Sequence, residues 1–324
     1  YLLSSGTLLL FRAIMNLGEC TMHGNYAHYV KTIPFQDYGQ GSFRQGTKLN
    51  SQFFGLDVDI QLGTFWSAGK VNEGLEVTHV HDFNQVILLI GADLNDIGDL
   101  GAEVEICLGE DKEKHVITTS SAVFIPKGLP HFPATITRMD RRFIMVIVSC
   151  APEWQAKAVL TDKPEPAQVV GWGAKYRNHI INASFQRKGA WHYGPLNRDD
   201  SGGYLTFLRN PALTGDLLIL YESLKKAPYR FDPDPSKSHT HPQPEILFFL
   251  GTDTSDLGQL GGEVEASLGE NMEKYIINRS TAVVVPAGLP HNPLTVTRVE
   301  RPFILMDVRP FGHGGSGCKQ QSGK

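Results

Sequence analysis

Apolar residues in this chain come in short runs of four or five, such as Leu217-Leu-Ile-Leu-Tyr221, Ile246-Leu-Phe-Phe-Leu250, Ala282-Val-Val-Val285 and Phe303-Ile-Leu-Met306. The runs are rich in branched and aromatic side chains and are bounded by Gly, Pro or Asp, which is the pattern of short strands separated by turns. Glu263-Val-Glu-Ala-Ser-Leu268 alternates loosely, as a half-exposed strand does. A helical period sustained over about 12 residues is absent from the regularly patterned parts of the chain. The expectation is an all-β protein built as a small barrel or sandwich.

The pattern occurs twice. Residues 79 to 148 match residues 239 to 308 at a constant offset of 160, with 33 identities over 70 positions and no gap. Gly98-Asp-Leu-Gly-Ala-Glu-Val-Glu105 answers Gly258-Gln-Leu-Gly-Gly-Glu-Val-Glu265, and Gly128-Leu-Pro-His131 answers Gly288-Leu-Pro-His291. Upstream the match continues weakly at an offset of 150, with Tyr26 facing Tyr176 and Phe35-Gln36 facing Phe185-Gln186. An internal repeat of this length divides the chain into an N-terminal extension (1–21), a first barrel (22–150), a linker (151–171), a second barrel (172–310) and a Gly/Ser-rich tail (311–324). The linker carries Pro152, Pro164 and Pro166, and Trp154 and Trp172 at its flanks leave room for it to be strapped to the surface. The tail, with His313, is too polar to enter a core and is expected to be flexible.

Composition narrows the function classes. The 324 residues are 41% hydrophobic and 20% charged, with a formal net charge of −4, so the chain can bury a core of ordinary size. No block of Lys and Arg is present, which argues against a nucleic-acid partner. No apolar run reaches the length of about 18 residues that a membrane span needs. The four cysteines, Cys20, Cys107, Cys150 and Cys318, form no C-x-x-C pair, and Cys107 faces Ser267 in the repeat. They read as free thiols of a reducing compartment, and a cytoplasmic location is expected. The apolar start, Tyr1 to Met15, reads as a strand or short helix, with the remnant of a signal segment and hence secretion as the alternative.

The chemistry concentrates in His239-Thr-His241-Pro-Gln-Pro-Glu245 and Val285-Pro-Ala-Gly288-Leu-Pro-His291. Residues two apart on a strand share a face, so His239 and His241 project together, and Glu245 joins them if the strand continues past Pro242 and Pro244. His291 must arrive from a neighbouring strand. Three neutral imidazoles and a carboxylate suit Fe, Mn, Zn, Ni or Co as divalent ions. On a six-coordinate ion such a set leaves two positions for water, dioxygen or a bidentate substrate, whereas on tetrahedral zinc it fills the shell. The equivalents in the first repeat are His79, His81, Gln85 and His131. A Gln in place of the carboxylate lowers metal affinity. Two readings stand side by side there, a site of different reactivity and a barrel kept for structure.

The order H-x-H-x3-E, six residues to Gly251, then P-x-G-x2-H resembles the two signature motifs of the cupin superfamily. Because it covers both repeats, the chain resembles a bicupin. That resemblance implies two tandem double-stranded β-helix (jelly-roll) barrels, each with its metal position inside the wider mouth, and His239, His241, Glu245 and His291 as ligands. The family often has a Gly six residues before the first His and an Asn four after the last, where this chain has Pro233 and Thr295. The fold assignment tolerates these departures, but a subfamily assignment does not.

Several other residues are candidates. Arg138 and Arg298 recur seven positions after the last His and could grip a substrate carboxylate bidentately, the plainer reading being surface ion pairs with neighbours such as Asp140 or Glu300. Glu103, Glu105, Glu263 and Glu265 could act as acids or bases but fit outward-facing strand positions, as do Lys114 and Lys274. Trp191-His192-Tyr193 could lid a barrel. Gly258-Gln-Leu-Gly-Gly262 lacks the Lys and following helix of a phosphate cradle and reads as a turn. The resulting expectation is a metal-dependent enzyme for a small, anionic or enolisable molecule, a dioxygenase first and a decarboxylase or isomerase next. The alternative is a sensor or storage-type bicupin that binds without turnover, and a homo-oligomer is compatible with either. A polar pocket with an acid or base beside the metal position would favour the enzyme; a barrel filled with Phe and Leu would favour binding only.

Overall fold

The computed structural model describes residues 24–39, 42–71, 77–159, 174–187, 202–215, 217–231 and 238–310. The N-terminal extension, the tail, Trp172 and Trp191-His192-Tyr193 lie outside the described residues. The described residues form four antiparallel sheets. In the first half, a seven-stranded sheet built around Gln85–Gly91, Phe143–Ser149 and Asp59–Phe65 faces a sheet built around His131–Met139, Asp99–Leu108 and Glu113–Thr119. The second half repeats this with Glu245–Leu250, Phe303–Arg309 and Leu218–Leu224 facing His291–Val299, Gln259–Leu268 and Glu273–Arg279. The α-helices among the described residues are the four-residue turns Ser51–Phe54 and Pro211–Thr214. The all-β reading therefore holds, and each half is a jelly-roll barrel.

The continuous apolar runs have a geometric cause. Ile87 and Leu89 point into the first barrel, while Val86, Leu88 and Ile90 point into a core shared between the two barrels. In the second barrel Leu247 and Phe249 point inward and Ile246, Phe248 and Leu250 join the shared core. A strand covered on both faces needs apolar residues at every position, so the two-residue alternation disappears from the sequence while the side chains still alternate. The adjacent pair Phe248 and Phe249 is thus divided, one ring to each core. Phe248 meets Phe54 of the other half edge-on, with ring centroids 6.0 Å apart.

The repeats exchange their first strands. Val30–Thr32 pairs with Thr281–Val285 of the second repeat, and Ile180–Asn182 pairs with Ser121–Ile125 of the first. Tyr176 lies over Gly109 and Tyr26 over Gly269, each at a positive φ where a Cβ would overlap the ring. Glu113 accepts bonds from the Lys175 and Tyr176 amides, and Glu273 accepts one from the Asn25 amide. A repeat boundary read along the sequence is thus crossed by one strand in each direction.

The described part of the linker is indeed strapped down. Lys157–Ala158 pairs with His79–Val80, and the Pro152 carbonyl accepts a bond from the Ser51 amide. Because Phe248 is fully buried in the shared core, Phe248→Ala should cost about 3–5 kcal/mol. Urea unfolding followed by tryptophan emission and by circular dichroism should show that loss in a single transition common to both barrels.

Candidate metal centre

In the second barrel the four sequence-selected groups converge. His239 and His291 sit opposite each other and exchange both backbone bonds, His239 N to His291 O at 3.0 Å and His291 N to His239 O at 3.1 Å. The Gly288 amide, in the turn that introduces His291, donates to the His241 carbonyl at 2.9 Å. Beyond His241 the strand does not continue as a single strand. Pro242 and Pro244 interrupt pairing, and Glu245 opens a strand of the opposite sheet, paired to Val285. The carboxylate therefore reaches the imidazoles across the barrel mouth. At the other end of the site, Asn292 adopts a φ of 74° and the pairing register shifts between Leu268 and Ala266, a bulge that turns His291 inward.

The ring nitrogens of His239, His241 and His291 that could bind an ion lie within 4.8 Å of one another. His241 Nδ1 bonds the Gln243 carbonyl and His291 Nδ1 bonds the Leu289 carbonyl at 2.9 Å. A ring that donates from Nδ1 presents a bare Nε2 lone pair, the tautomer a metal ligand needs. Asn292 Nδ2 lies 3.2 Å from His239 Nδ1. Glu245 Oε1 is 3.0 Å from His291 Nε2, and Oε2 is 3.1 Å from His241 Nε2. Yet His241 Nε2, His291 Nε2 and Glu245 Oε2 have no partner in hydrogen-bond geometry. Buried polar atoms left in that state are costly, and a shared cation satisfies all of them together. The residues present fit a divalent metal ion.

Two charged residues that sequence reasoning missed stand behind Glu245. Arg309 Nη2 is 3.1 Å from Glu245 Oε2 and 2.7 Å from Asp307 Oδ2, and its Nε donates to the same Asp307 oxygen at 2.9 Å. Burial alone would raise the Glu245 carboxyl, but His241, His291 and Arg309 outweigh it and hold it far below the usual range. Burial also lowers the His241 imidazole, and the Glu245 contact overrides this and moves it up. Asp307 goes the other way: burial, then the Glu245 charge, push its carboxyl up against the pull of Arg309. Glu222 is a further buried carboxylate on the inward face, opposite Leu305. The signal was available, because the offset of 160 pairs Asp307 with Ile147 and Arg309 with Ser149, charged against neutral.

The first barrel has the same skeleton with different charges. His79 pairs with His131, and the three ring centroids are 6.4, 4.3 and 4.8 Å apart, against 6.0, 4.3 and 4.8 Å in the second barrel. Backbone carbonyls of Val77, Phe83 and Leu129 take the Nδ1 atoms of His79, His81 and His131 at 3.2, 2.7 and 2.9 Å. Gln85 Nε2 donates to Ser149 Oγ at 3.0 Å, which turns the amide oxygen away from the serine. His79 and His81 are 2 and 4% exposed, whereas His239 and His241 are only half-buried. Burial depresses the His79 imidazole to about 4 and pushes His81 and His131 down as well.

No family model and no curated protein sequence matches the chain, whereas solved structures do. Bacillus subtilis oxalate decarboxylase, a protein with Mn(II) centres, superposes with a TM-score of 0.53 at 9% identity, over 91% of this chain and 80% of that one. Lactobacillus farciminis oxalate decarboxylase, in a formate complex, gives 0.51 at 10% identity over 88% and 86%. The fold is that of a bicupin. At such identities the likeness concerns architecture alone.

The remaining candidates lie elsewhere. Arg138 is exposed and paired with Asp140 at 3.0 Å and Glu103 at 3.9 Å, and Arg298 with Glu300 at 2.9 Å and Glu263 at 3.7 Å. Each sits seven residues along its strand from the histidine, a run of roughly 23 Å, and the structure does not bring either to the site. Glu105 pairs with Lys114, and Glu265 with Lys274, on the outward face. Cys107 is buried and Cys150 half-buried, and Cys20 and Cys318 lie outside the described residues. No helix among the described residues is long and apolar enough to cross a membrane.

The buried His79 makes a testable link to stability. Its folded-state value of about 4 lies below the ordinary 6.5, so between those values the unfolded chain binds more protons. Its contribution is complete above pH 6.5 and is lost as the pH falls through 4. In metal-free protein, stability should fall by up to about 3 kcal/mol across that window. His79→Gln should flatten that part of the stability–pH curve, measured by urea unfolding at closely spaced pH values.

Proposed function

We propose that this bicupin is a metal-dependent enzyme whose reactive ion is held in the second barrel by His239, His241, Glu245 and His291, with a small anionic or enolisable molecule as substrate. The observation that supports it is the convergence of three imidazoles beside the Glu245 carboxylate, with the buried Nε2 atoms of His241 and His291 left without hydrogen-bond partners. A divalent transition metal there would supply a Lewis-acidic centre with open positions for the substrate. The chain's own residues do the rest. Backbone carbonyls fix the imidazole tautomers, Arg309 holds one oxygen of Glu245, and Asp307 anchors Arg309. The barrel behind the site carries Asp307 and Glu222 and is not an apolar plug, which favours an enzyme over a storage-type protein. A dioxygenase is the first choice, with decarboxylase or isomerase next, and His79, His81, Gln85 and His131 form a second, weaker set in the first barrel.

Metal analysis of protein purified without added metal tests this reading. Wild type should carry an ion that His291→Ala loses from the second barrel, and Glu245→Gln should weaken binding at least about tenfold. Equal metal content in wild type and His291→Ala would sink the site assignment. Metal retained with no turnover of any α-hydroxy, β-keto or dicarboxylic acid in a substrate screen would favour the binding-only alternative.

A further inference from the structure

The exchanged strands are docked by two clamps of the same plan and different chemistry. On the first barrel, Glu113 takes the Lys175 amide on Oε2 at 3.0 Å and the Tyr176 amide on Oε1 at 2.8 Å. His115 Nε2 stands 2.9 Å from that same Oε1, outside bonding geometry, and the ring is buried. His179, on the exchanged segment, is buried too. Its Nδ1 lies 2.8 Å from the Phe124 carbonyl and its ring meets Tyr176 edge-on. On the second barrel, Glu273 takes the Asn25 amide on Oε2 at 2.9 Å. The place of His115 is held there by Tyr275, at the offset of 160. The Tyr275 hydroxyl donates to Glu273 at 2.8 Å and accepts from the Tyr26 amide at 3.0 Å. The place of His179 is held by Tyr29, at the offset of 150. Two imidazoles thus stand where the other clamp has two phenols, which ordinarily titrate only near about pH 10.

We propose that the first clamp is an acid-sensitive catch: protonation of His115 and His179 releases residues 174–182 from the first barrel, while the Tyr275 clamp keeps residues 24–32 docked on the second. One carboxylate, Glu113, has three claimants. A neutral His115 leaves both oxygens to the two amides. An imidazolium at His115 draws on Oε1 and competes with the Tyr176 amide for it. Its charge is also buried and set against the cations of the exchanged segment. The charged groups around His115 are Glu113 on its own strand and Arg177 and His179 on that segment, and Ile106 stands opposite on the neighbouring strand. Burial lowers the His115 imidazole, Glu113 opposes this, Arg177 and His179 add to the lowering, and the net direction is down. Burial lowers His179 likewise, against its bond to the Phe124 carbonyl and the charge of Glu113. With the docked values below the free one, the undocked segment binds protons more readily. The hold is therefore complete above about pH 6.5 and is lost as the pH falls below it. Release takes Ile180–Asn182 from the sheet edge beside Ser121–Ile125, so the first barrel loosens at its exchanged edge. The device needs neither a metal ion nor turnover in the second barrel.

Hydrogen exchange read by mass spectrometry on the full chain, at about pH 7.5 and about pH 5 with the intrinsic pH dependence of exchange removed, tests this. On acidification, protection in residues 174–182 should fall roughly tenfold or more, while residues 24–32 keep theirs. His115→Tyr, which copies the second clamp, should remove most of that fall. Tyr275→His, the reverse exchange, should confer an acid-dependent fall on residues 24–32. Ordinary acid unfolding lowers protection in both segments together, and that outcome overturns the proposal. So does a fall in residues 174–182 that survives His115→Tyr unchanged. If His115→Tyr does not fold, Tyr275→His decides, and unaltered protection of residues 24–32 in acid overturns the proposal.

Discussion

Two backbone hydrogen bonds between His239 and His291 set the geometry on which the candidate centre depends. They hold two imidazoles edge to face, with ring centroids 4.3 Å apart, before any metal is considered. The same pair of positions, His79 and His131, is bridged in the first barrel. Everything else is arranged around this fixed pair. The Gly288 and Gly128 amides hold the third histidine's carbonyl, and the bulge after the last histidine aims its ring inward. Because the skeleton is backbone, it survives the exchange of nearly every charged side chain around it. That is why the ring separations agree closely between barrels whose electrostatics differ.

The difference between the barrels is therefore carried by one rung of the inner sheets. In the second barrel a carboxylate and a guanidinium stand side by side, and a second carboxylate fixes the guanidinium from one step deeper. A lone buried carboxylate is expensive, and one given both a cation partner and imidazole neighbours is not. In the first barrel the amide and hydroxyl of Gln85 and Ser149 satisfy each other without charge, and the buried acid of that rung, Asp59, sits at its far end. Exposure follows the same division. A buried neutral set and a half-buried charged set stand on one skeleton.

The repeat, the all-β class and the ligand spacing were legible in the sequence because each depends on residues close together along the chain or on a constant offset. What was not legible depends on which strand lies beside which. Arg309 and Asp307 are more than 60 residues from Glu245 in sequence and become its neighbours only through the pairing of Phe303–Arg309 with Glu245–Leu250. Asp59 shares a rung with Gln85 only through two register pairs. The sequence leaves open whether the strand continues from His241 to Glu245, and the chain changes sheets there, because two prolines in three residues remove the ladder donors. Arg138 and Arg298, attractive by repetition, repeat because both barrels need the same outward ion pair with Glu103 and Glu263.

Strand exchange ties these sites to a single folding unit. Val30–Thr32 completes the sheet that carries Glu245, and Ile180–Asn182 completes the sheet that carries Gln85. Each barrel's inner sheet therefore has an edge strand supplied by the other repeat, and the two sheets share one apolar core through Phe54 and Phe248. Loosening either barrel must disturb the backing of the other. The duplication is then more than two copies in series: each half supplies an edge strand and part of the core that backs the other.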